Sequence, residues 1–368
     1  MSHAKVHVVH ELVRRGLLSR TELVDGGLTV VDSTSRHRNS QVIRRGGDGY
    51  FVKEAIPTQA MSMQTLMREA STYAIVQRGE GPLASLAAIM PRFHVWDPQQ
   101  RLLILELLPA AETFGAQIRR THTFSPHVAA DFGRALATYH GQAAGSVTST
   151  ALGQLFPRTL PWALTFTKQN AGALEGTSGA NTQLFSLIRR YPNFPARLEA
   201  LSNTWRHDTL IHGDLKFENC MLSYSRGAES PAAIRVVDWE VADIGDPRWD
   251  VGSMLQSWLM YWIFSMPSDG SVTEPDQLAA RAQYPLEAMR PAIKAFWQAY
   301  VDTMQFTGAM ARERLDTCIS FGAARMVQTV FESMYQMPQL TPHAIFMLQV
   351  SLNILEQPRP AVAELLVM

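Results

Sequence analysis

The texture of the chain changes once and decisively near Pro109, and that change constrains the fold more than any other feature. Before it, short apolar runs alternate with turn residues: Leu28-Thr29-Val30-Val31, Gln41-Val42-Ile43 and Tyr50-Phe51-Val52, with Gly46-Gly47-Asp48-Gly49 as a hairpin turn between the last two. Ile89 to Phe93 and Leu102 to Leu107 read as two further strands separated by Asp97-Pro98, and Ser62 to Gln77 carries apolar residues at helical spacing. Five strands and one helix make a small lobe. After Pro109, helical patterns dominate: Val128–His140, Leu184–Arg190, Pro195–Trp205, Met254–Phe264, Pro285–Met304, Glu313–Tyr335 and His343–Leu355. Strand-like pieces recur only near Leu210, Met221 and Ile234 to Val237. The expectation is an α+β protein of two lobes, a β-rich one over residues 1–107 and a mostly α-helical one over 108–368.

At the amino terminus, His10 to Leu18 has helical spacing, and Ser19 with Glu22 three places on forms a capping-box pattern. Basic residues are scattered through this segment with no long apolar run, so it is expected to be neither a signal peptide nor an anchor. Met254 to Met266 is too short and too interrupted to span a bilayer. Lys plus Arg and Asp plus Glu balance at 33 each, so no global field favours nucleic acid or an anionic membrane as a partner. Cys220 and Cys318 are far apart and lack metal-ligand spacing, which favours a reducing, cytoplasmic setting.

The chemistry-bearing run is His212-Gly213-Asp214-Leu215-Lys216-Phe217-Glu218-Asn219. Phosphoryl transfer to a hydroxyl needs a carboxylate where the acceptor proton leaves, together with a cation and a metal on the phosphates. Asp214 stands five residues before Asn219, the spacing of a catalytic loop that pairs a base with a magnesium-binding amide. Nineteen residues beyond Asn219, the apolar run Ile234 to Val237 ends in Asp238-Trp239-Glu240, which supplies a second metal ligand at a strand end. Lys53 lies in a strand and Glu69 on the following helix, a pair suited to holding the lysine amine against nucleotide phosphates.

His-Gly-Asp followed by Asn219, then Val-Asp-Trp-Glu and Gly245-Asp246-Pro247-Arg248-Trp249-Asp250, resembles the aminoglycoside phosphotransferase and choline kinase-like family. The resemblance covers most of the chain and is strongest from Ile211 to Gly252. It implies a bilobal protein kinase-like fold that uses ATP and Mg2+. By position, it implies that Asp214 is the catalytic base, that Asn219 and Asp238 bind magnesium, and that Lys53 and Glu69 form the phosphate-positioning pair. Leu105-Glu106-Leu107-Leu108 resembles the family hinge, making Glu106 and Leu108 candidate adenine contacts, and Asp250 resembles an aspartate that braces the catalytic loop. His-Gly-Asp and Asp-Trp-Glu, with no Ala-Pro-Glu segment, argue against an ordinary protein kinase.

One part departs from kinase patterns. The segment Asp32 to Ser40 has no Gly-x-Gly-x-x-Gly, and Ser35 and Arg36 are offered as phosphate contacts from backbone amides, hydroxyl and charge, or else the segment is a plain polar hairpin. Asp131-Phe132-Gly133 spells a kinase metal motif but precedes the catalytic loop and sits inside a helical pattern, so it is read as core. Trp239, Trp249, Trp258, Trp262 and Trp297 are read as core or as an acceptor wall. Lys216 is read as a phosphoryl contact or as a solvated side chain.

Three functions follow. The first is a phosphotransferase acting on a hydroxyl of a small metabolite or natural product. From Asp250 to Met368 there are 11 acidic and 7 basic residues, a mild excess that does not favour a polycationic aminoglycoside. The second is a kinase for Ser or Thr of a precursor peptide, with a partner lyase, because several runs are similar to kinase-like proteins of thioamitide and class V lanthipeptide pathways. The third is a nucleotide-binding pseudokinase, which the intact carboxylates disfavour.

Overall fold

The computed structural model describes residues 3–32, 37–77, 83–108, 110–144, 156–166, 177–225, 231–267 and 275–366. The chain forms two compact units, Met1–Ala116 with Glu218–Ala242, and Gln117–Phe217 with Asp243–Met368. This division differs from the expected single cut after residue 107. Strand pairing is the reason: a segment beyond the catalytic loop returns to the first unit as part of a sheet.

The first unit opens with α1 (His3–Arg14) and the short α2 (Arg20–Val24). The Ser19 hydroxyl accepts from the Glu22 amide while the Glu22 carboxylate accepts from the Ser19 amide, the capping box read from the sequence. Strands β1 (Thr29–Asp32), β2 (Arg38–Ile43), β3 (Gly49–Glu54), β4 (Phe93–Asp97) and β5 (Leu102–Glu106) form one antiparallel sheet in the order β1-β2-β3-β5-β4. Alternation assigns its two faces. Val42, Val52, Leu102 and Ile104 join Val8, Val9 and Leu12 in one buried cluster, so the intervening Lys53 and Leu103 point to the opposite face. Helix α3 (Ala60–Gln77) carries the buried Leu66, Glu69, Ala70 and Tyr73.

The strand expected at Ile89 to Phe93 begins at Phe93 instead, after a 3-10 turn over Ala84–Ala88. Pro91 explains the shift, because it has no amide hydrogen to give a ladder. A second sheet of this unit joins β6 (Ala111–Thr113) to the later strands β8 (Cys220–Tyr224) and β9 (Pro231–Val236) in the order β6-β8-β9.

The second unit contains the two-stranded pair β7 (Thr209–Ile211) and β10 (Asp243–Gly245) and is otherwise helical. Its helices are α4 (Phe114–Thr121, starting in the first unit), α5 (Pro126–Ala143), α6 (Trp162–Thr165), α7 (Gly179–Arg190), α8 (Asn193–Ser202), α9 (Pro247–Phe264), α10 (Pro275–Ala280), α11 (Leu286–Met304), α12 (Gly308–Ser333), α13 (Pro342–Glu356) and α14 (Pro358–Ala361). Asp246 caps α9 by accepting from the Arg248 amide, and Pro247 opens the helix. Nearly every side chain of α9 as far as Leu259 is buried, which accounts for its apolar run. Among the described residues no helix is long and apolar enough to cross a membrane.

Glycines set how closely these helices pack. A β-carbon at Gly252 on α9 would sit 2.4 Å from the Cys318 carbonyl oxygen and 2.7 Å from the Gly322 nitrogen of α12. Gly133, in the misleading Asp-Phe-Gly run on α5, lets the Phe296 carbonyl of α11 approach in the same way, at 2.2 Å from a notional β-carbon, while Phe132 is buried. The run is a packing device within a helix, as the sequence reading held. Gly252→Ala should destabilise the protein by about 1–3 kcal/mol through forced separation of α9 and α12. Urea unfolding followed by circular dichroism measures this, and an unchanged midpoint would contradict the close approach.

Candidate active site

Within the first unit, a cavity of about 330 Å³ is lined by residues from the five-stranded sheet, α3 and the β8–β9 hairpin. Lys53 points into it from β3. Its Nζ donates to both carboxylate oxygens of Glu69, at 2.9 and 2.8 Å, and to Oδ1 of Asp238 at 2.6 Å. Burial by itself would lower the Lys53 pKa, but the Glu69 and Asp238 carboxylates outweigh it and raise it, so the amine stays charged. Burial, reinforced by the nearby Asp238 and Glu240 carboxylates, pushes Glu69 up to about 7 against the pull of Lys53.

Asp238 and Asn219 meet through the β8–β9 hairpin. Cys220 pairs with Val236, and the Val237 amide donates to the Asn219 carbonyl at 3.0 Å. Asp238 itself adopts φ +67°, a left-handed conformation uncommon for a residue with a β-carbon. The neighbouring Trp239 indole anchors the turn by donating to the Val236 carbonyl at 3.0 Å. Asn219 and Asp238 both line the cavity and offer amide and carboxylate oxygens, the hard donors that magnesium takes. Four carboxylates line it, those of Glu69, Glu106, Asp238 and Glu240, against the single ammonium of Lys53, so a divalent cation and its electrostatics fit the wall. Among the described residues no group of three or more His, Cys, Asp or Glu side chains could hold a metal, so such an ion would complete its shell with phosphate oxygens and water.

Glu106, Leu107 and Leu108 form another part of the same wall, with Phe51 and Leu105. The Glu106 amide donates to the Arg92 carbonyl and its carboxylate accepts from the Arg92 amide at 2.9 Å, so the side chain braces the strand end. Ser35 and Arg36 lie outside the described residues. Close to them, sequence reasoning missed a buried polar pair: His37 Nε2 and Glu240 Oε2 are 2.9 Å apart, and His37 Nδ1 is 2.8 Å from the Ser62 hydroxyl. The available signal was a histidine in Ser-Arg-His-Arg-Asn and an acid two places after Asp238, both noted for other reasons.

Asp214 belongs to the second unit, at the start of the loop that follows β7. Gly213 before it has φ +81°, which glycine adopts at little cost. Its carbonyl accepts from the Trp249 indole at 2.9 Å. The fully buried Asp250 carboxylate accepts from the His212 and Gly213 amides at 2.7 and 3.0 Å and from the Tyr139 hydroxyl at 2.7 Å, with His140 Nε2 at 3.5 Å. That is the bracing role the resemblance implied for Asp250.

The Asp214 side chain is held by two cations. Arg325 of α12 donates to Oδ1 at 2.6 Å, and Lys216 donates to Oδ2 at 2.7 Å. Burial would raise the Asp214 pKa, but Arg325 and Lys216 outweigh it and bring the carboxyl down to about 2. Arg325 went unnoticed in the sequence, and nothing local marks it: it lies 111 residues beyond its partner. All five tryptophans considered for an acceptor wall are buried, and Trp297 also borders a cavity with Lys294, Arg312 and Asp316. Cys220 and Cys318 are buried free thiols.

The phosphotransferase enzyme family matches residues 29–296, well over half of the chain. The chain belongs to that phosphotransferase family. Among solved structures, APH(2")-IIia in its GDP and kanamycin complex is similar at 15% identity over 95% of this chain and 99% of that one, with a TM-score of 0.51. That likeness supports the kinase-like fold. Choline kinase LicA from Streptococcus pneumoniae matches at 13% identity over 96% and 99% of the two chains, with a TM-score of 0.48. Macrolide 2'-phosphotransferase MphH from Brachybacterium faecium matches at 15% identity over 91% and 93%, with a TM-score of 0.45. Comparison with curated proteins gives no match.

The buried carboxylates set an acid limit on stability. Asp214 and Asp250 both have depressed pKa values in the folded state, Asp250 because its histidine and amide partners outweigh burial. Their contribution is complete above the unfolded carboxylate value of about 4 and is lost as pH falls through the lowered folded-state values, about 2 for Asp214. Asp250→Ala should lower stability by about 3–5 kcal/mol near neutral pH, because it strips four donors of a buried partner, and should flatten the acid limb. Urea titrations between about pH 3 and 7 read both effects.

Proposed function

We propose that this protein transfers the γ-phosphoryl group of ATP, with Mg2+, directly to a hydroxyl of a small metabolite or natural product. The observation that carries the reading is the buried Lys53 amine, bonded to Glu69 and to Asp238 in a cavity that also holds Asn219. An ammonium fixed by two carboxylates is oriented to meet phosphate oxygens. Asn219 and Asp238 would hold the magnesium, which when bound would supply positive charge to the phosphates. Glu106 and Leu108 border the adenine end.

Asp214 serves the acceptor. It orients the hydroxyl and receives its proton as the new O–P bond forms, while the bond from the γ-phosphorus to the bridging oxygen breaks and that electron pair leaves with ADP. Arg325 and Lys216 hold the Asp214 pKa down, which keeps the carboxyl ionised and able to accept the proton. Family membership and four intact carboxylate and amide positions, Asp214, Glu69, Asn219 and Asp238, support turnover rather than binding alone.

Labelled ATP and GTP, with and without magnesium, against a panel of small alcohols and Ser- or Thr-containing peptides test the reading. Transfer to small alcohols with ATP and magnesium is expected, and transfer confined to peptides would overturn the acceptor class. Asp214→Asn should cut transfer by about 10²–10⁴ with nucleotide affinity kept. Asp238→Ala should weaken magnesium-nucleotide binding, read by calorimetry. Unchanged turnover in the Asp214 variant would sink the base assignment.

A further inference from the structure

We propose that Arg325 is a positioning residue of the phosphoryl transfer, a fixed guanidinium on α12 that sets the orientation and charge of Asp214. The proposal rests on the reading of Asp214 as the acceptor-side base.

Arg325 is 2% exposed and lies in the middle of a long helix. Its guanidinium is anchored at three points. Nη1 donates to the Thr329 hydroxyl at 2.9 Å, Nη1 and Nη2 both approach Glu332 Oε2 at 3.3 Å, and Nη2 donates to Asp214 Oδ1 at 2.6 Å. Gln328 donates to the other Glu332 oxygen at 3.0 Å, so the acid that shares Arg325 is itself held by its own helix. A planar guanidinium with fixed neighbours has little freedom, and it imposes its direction on the carboxylate it meets.

Other ionisable groups bear on Asp214 in different ways. Lys216, two residues away on the loop, bonds Oδ2 but is about a third exposed, and His212 adds a weaker attraction. Asp250 acts through the backbone of His212 and Gly213. Glu332 competes for Arg325 with a side chain 45% exposed. Lys216 meets solvent, whereas Arg325 is the cation locked in a core.

Closeness of α9 and α12 makes this contact possible. Gly252 and Gly322 bring the two backbones together one helical turn before Arg325, and Asp250, on the same stretch of α9, grips the loop that carries Asp214. The base is therefore framed from both helices, one fixing its backbone and the other its side chain.

Two measurements on the full-length protein test the proposal. The first is the titration of the Asp214 carboxyl by carbon NMR of aspartate-labelled protein, with the signal assigned by its loss in Asp214→Asn. The second is phosphate release from magnesium-ATP with water as the acceptor. Arg325→Met should raise the Asp214 titration by at least about one pH unit and slow phosphate release at least about tenfold, with KM for ATP within about twofold. Arg325→Lys keeps the charge but loses the fork, so its titration should stay close to the native one while release slows about three- to tenfold. Thermal unfolding confirms that each variant is folded.

A native titration in folded Arg325→Met overturns the proposal. If that variant does not fold, a native rate in Arg325→Lys overturns it instead. A native rate in Asp214→Asn, beside a raised titration in Arg325→Met, removes the base reading and leaves the Arg325–Asp214 coupling standing, so the two failures are distinguishable.

Discussion

Asp250 is fully buried, and the order of the loop that follows β7 depends on how the cost of that burial is met. An ionised carboxylate in a core is tolerable only when its oxygens are filled, and here two loop amides, a tyrosine hydroxyl and a histidine fill them. The consequence runs outward. With the His212 and Gly213 amides committed to α9, the chain must turn at Gly213, and the turn carries Asp214 to where Arg325 and Lys216 meet it. One buried charge on a helix thus specifies the backbone of a loop whose own sequence is too short to specify itself.

A parallel solution operates in the first unit, with opposite chemistry. There the buried group is a cation, Lys53, and its partners are carboxylates from two different elements, Glu69 of α3 and Asp238 beyond β9. Strand alternation aims Lys53 away from the cluster built on Val52, which is why the amine reaches α3 at all. The left-handed backbone at Asp238 is held by the hairpin and by the Trp239 indole. Strain of this kind persists where surrounding contacts over-determine it, and here it turns a carboxylate into the cavity that Asn219 also lines.

Much of this was legible in one dimension because the signals are local. The β-hairpin at Gly46 to Gly49, the capping box at Ser19 and Glu22, and the helices α5, α7, α8, α9, α11, α12 and α13 follow from spacing and turn chemistry, whereas the short α6 and α10 gave no such signal. Where local signals failed, a single residue explains the failure, as Pro91 does for the displaced start of β4. The pairing of β6 with β8 is another matter. It joins residues more than a hundred positions apart, no periodicity reports it, and it is what assigns Glu218–Ala242 to the first unit.

By itself, the sequence determined the family: residues 29–296 match the phosphotransferase family, and His212 to Asn219, Asp238, Lys53 and Glu69 carry the pattern that resembles it. Only the tertiary structure decided how those groups are charged and aimed. Lys53 bonds two carboxylates at once, His37 finds Glu240, and Asp214 is clamped by Arg325 from a helix 111 residues away. The physical reason is that residue type and spacing record what a side chain can do, whereas pKa and orientation depend on burial and on partners that long-range packing alone brings within hydrogen-bonding distance.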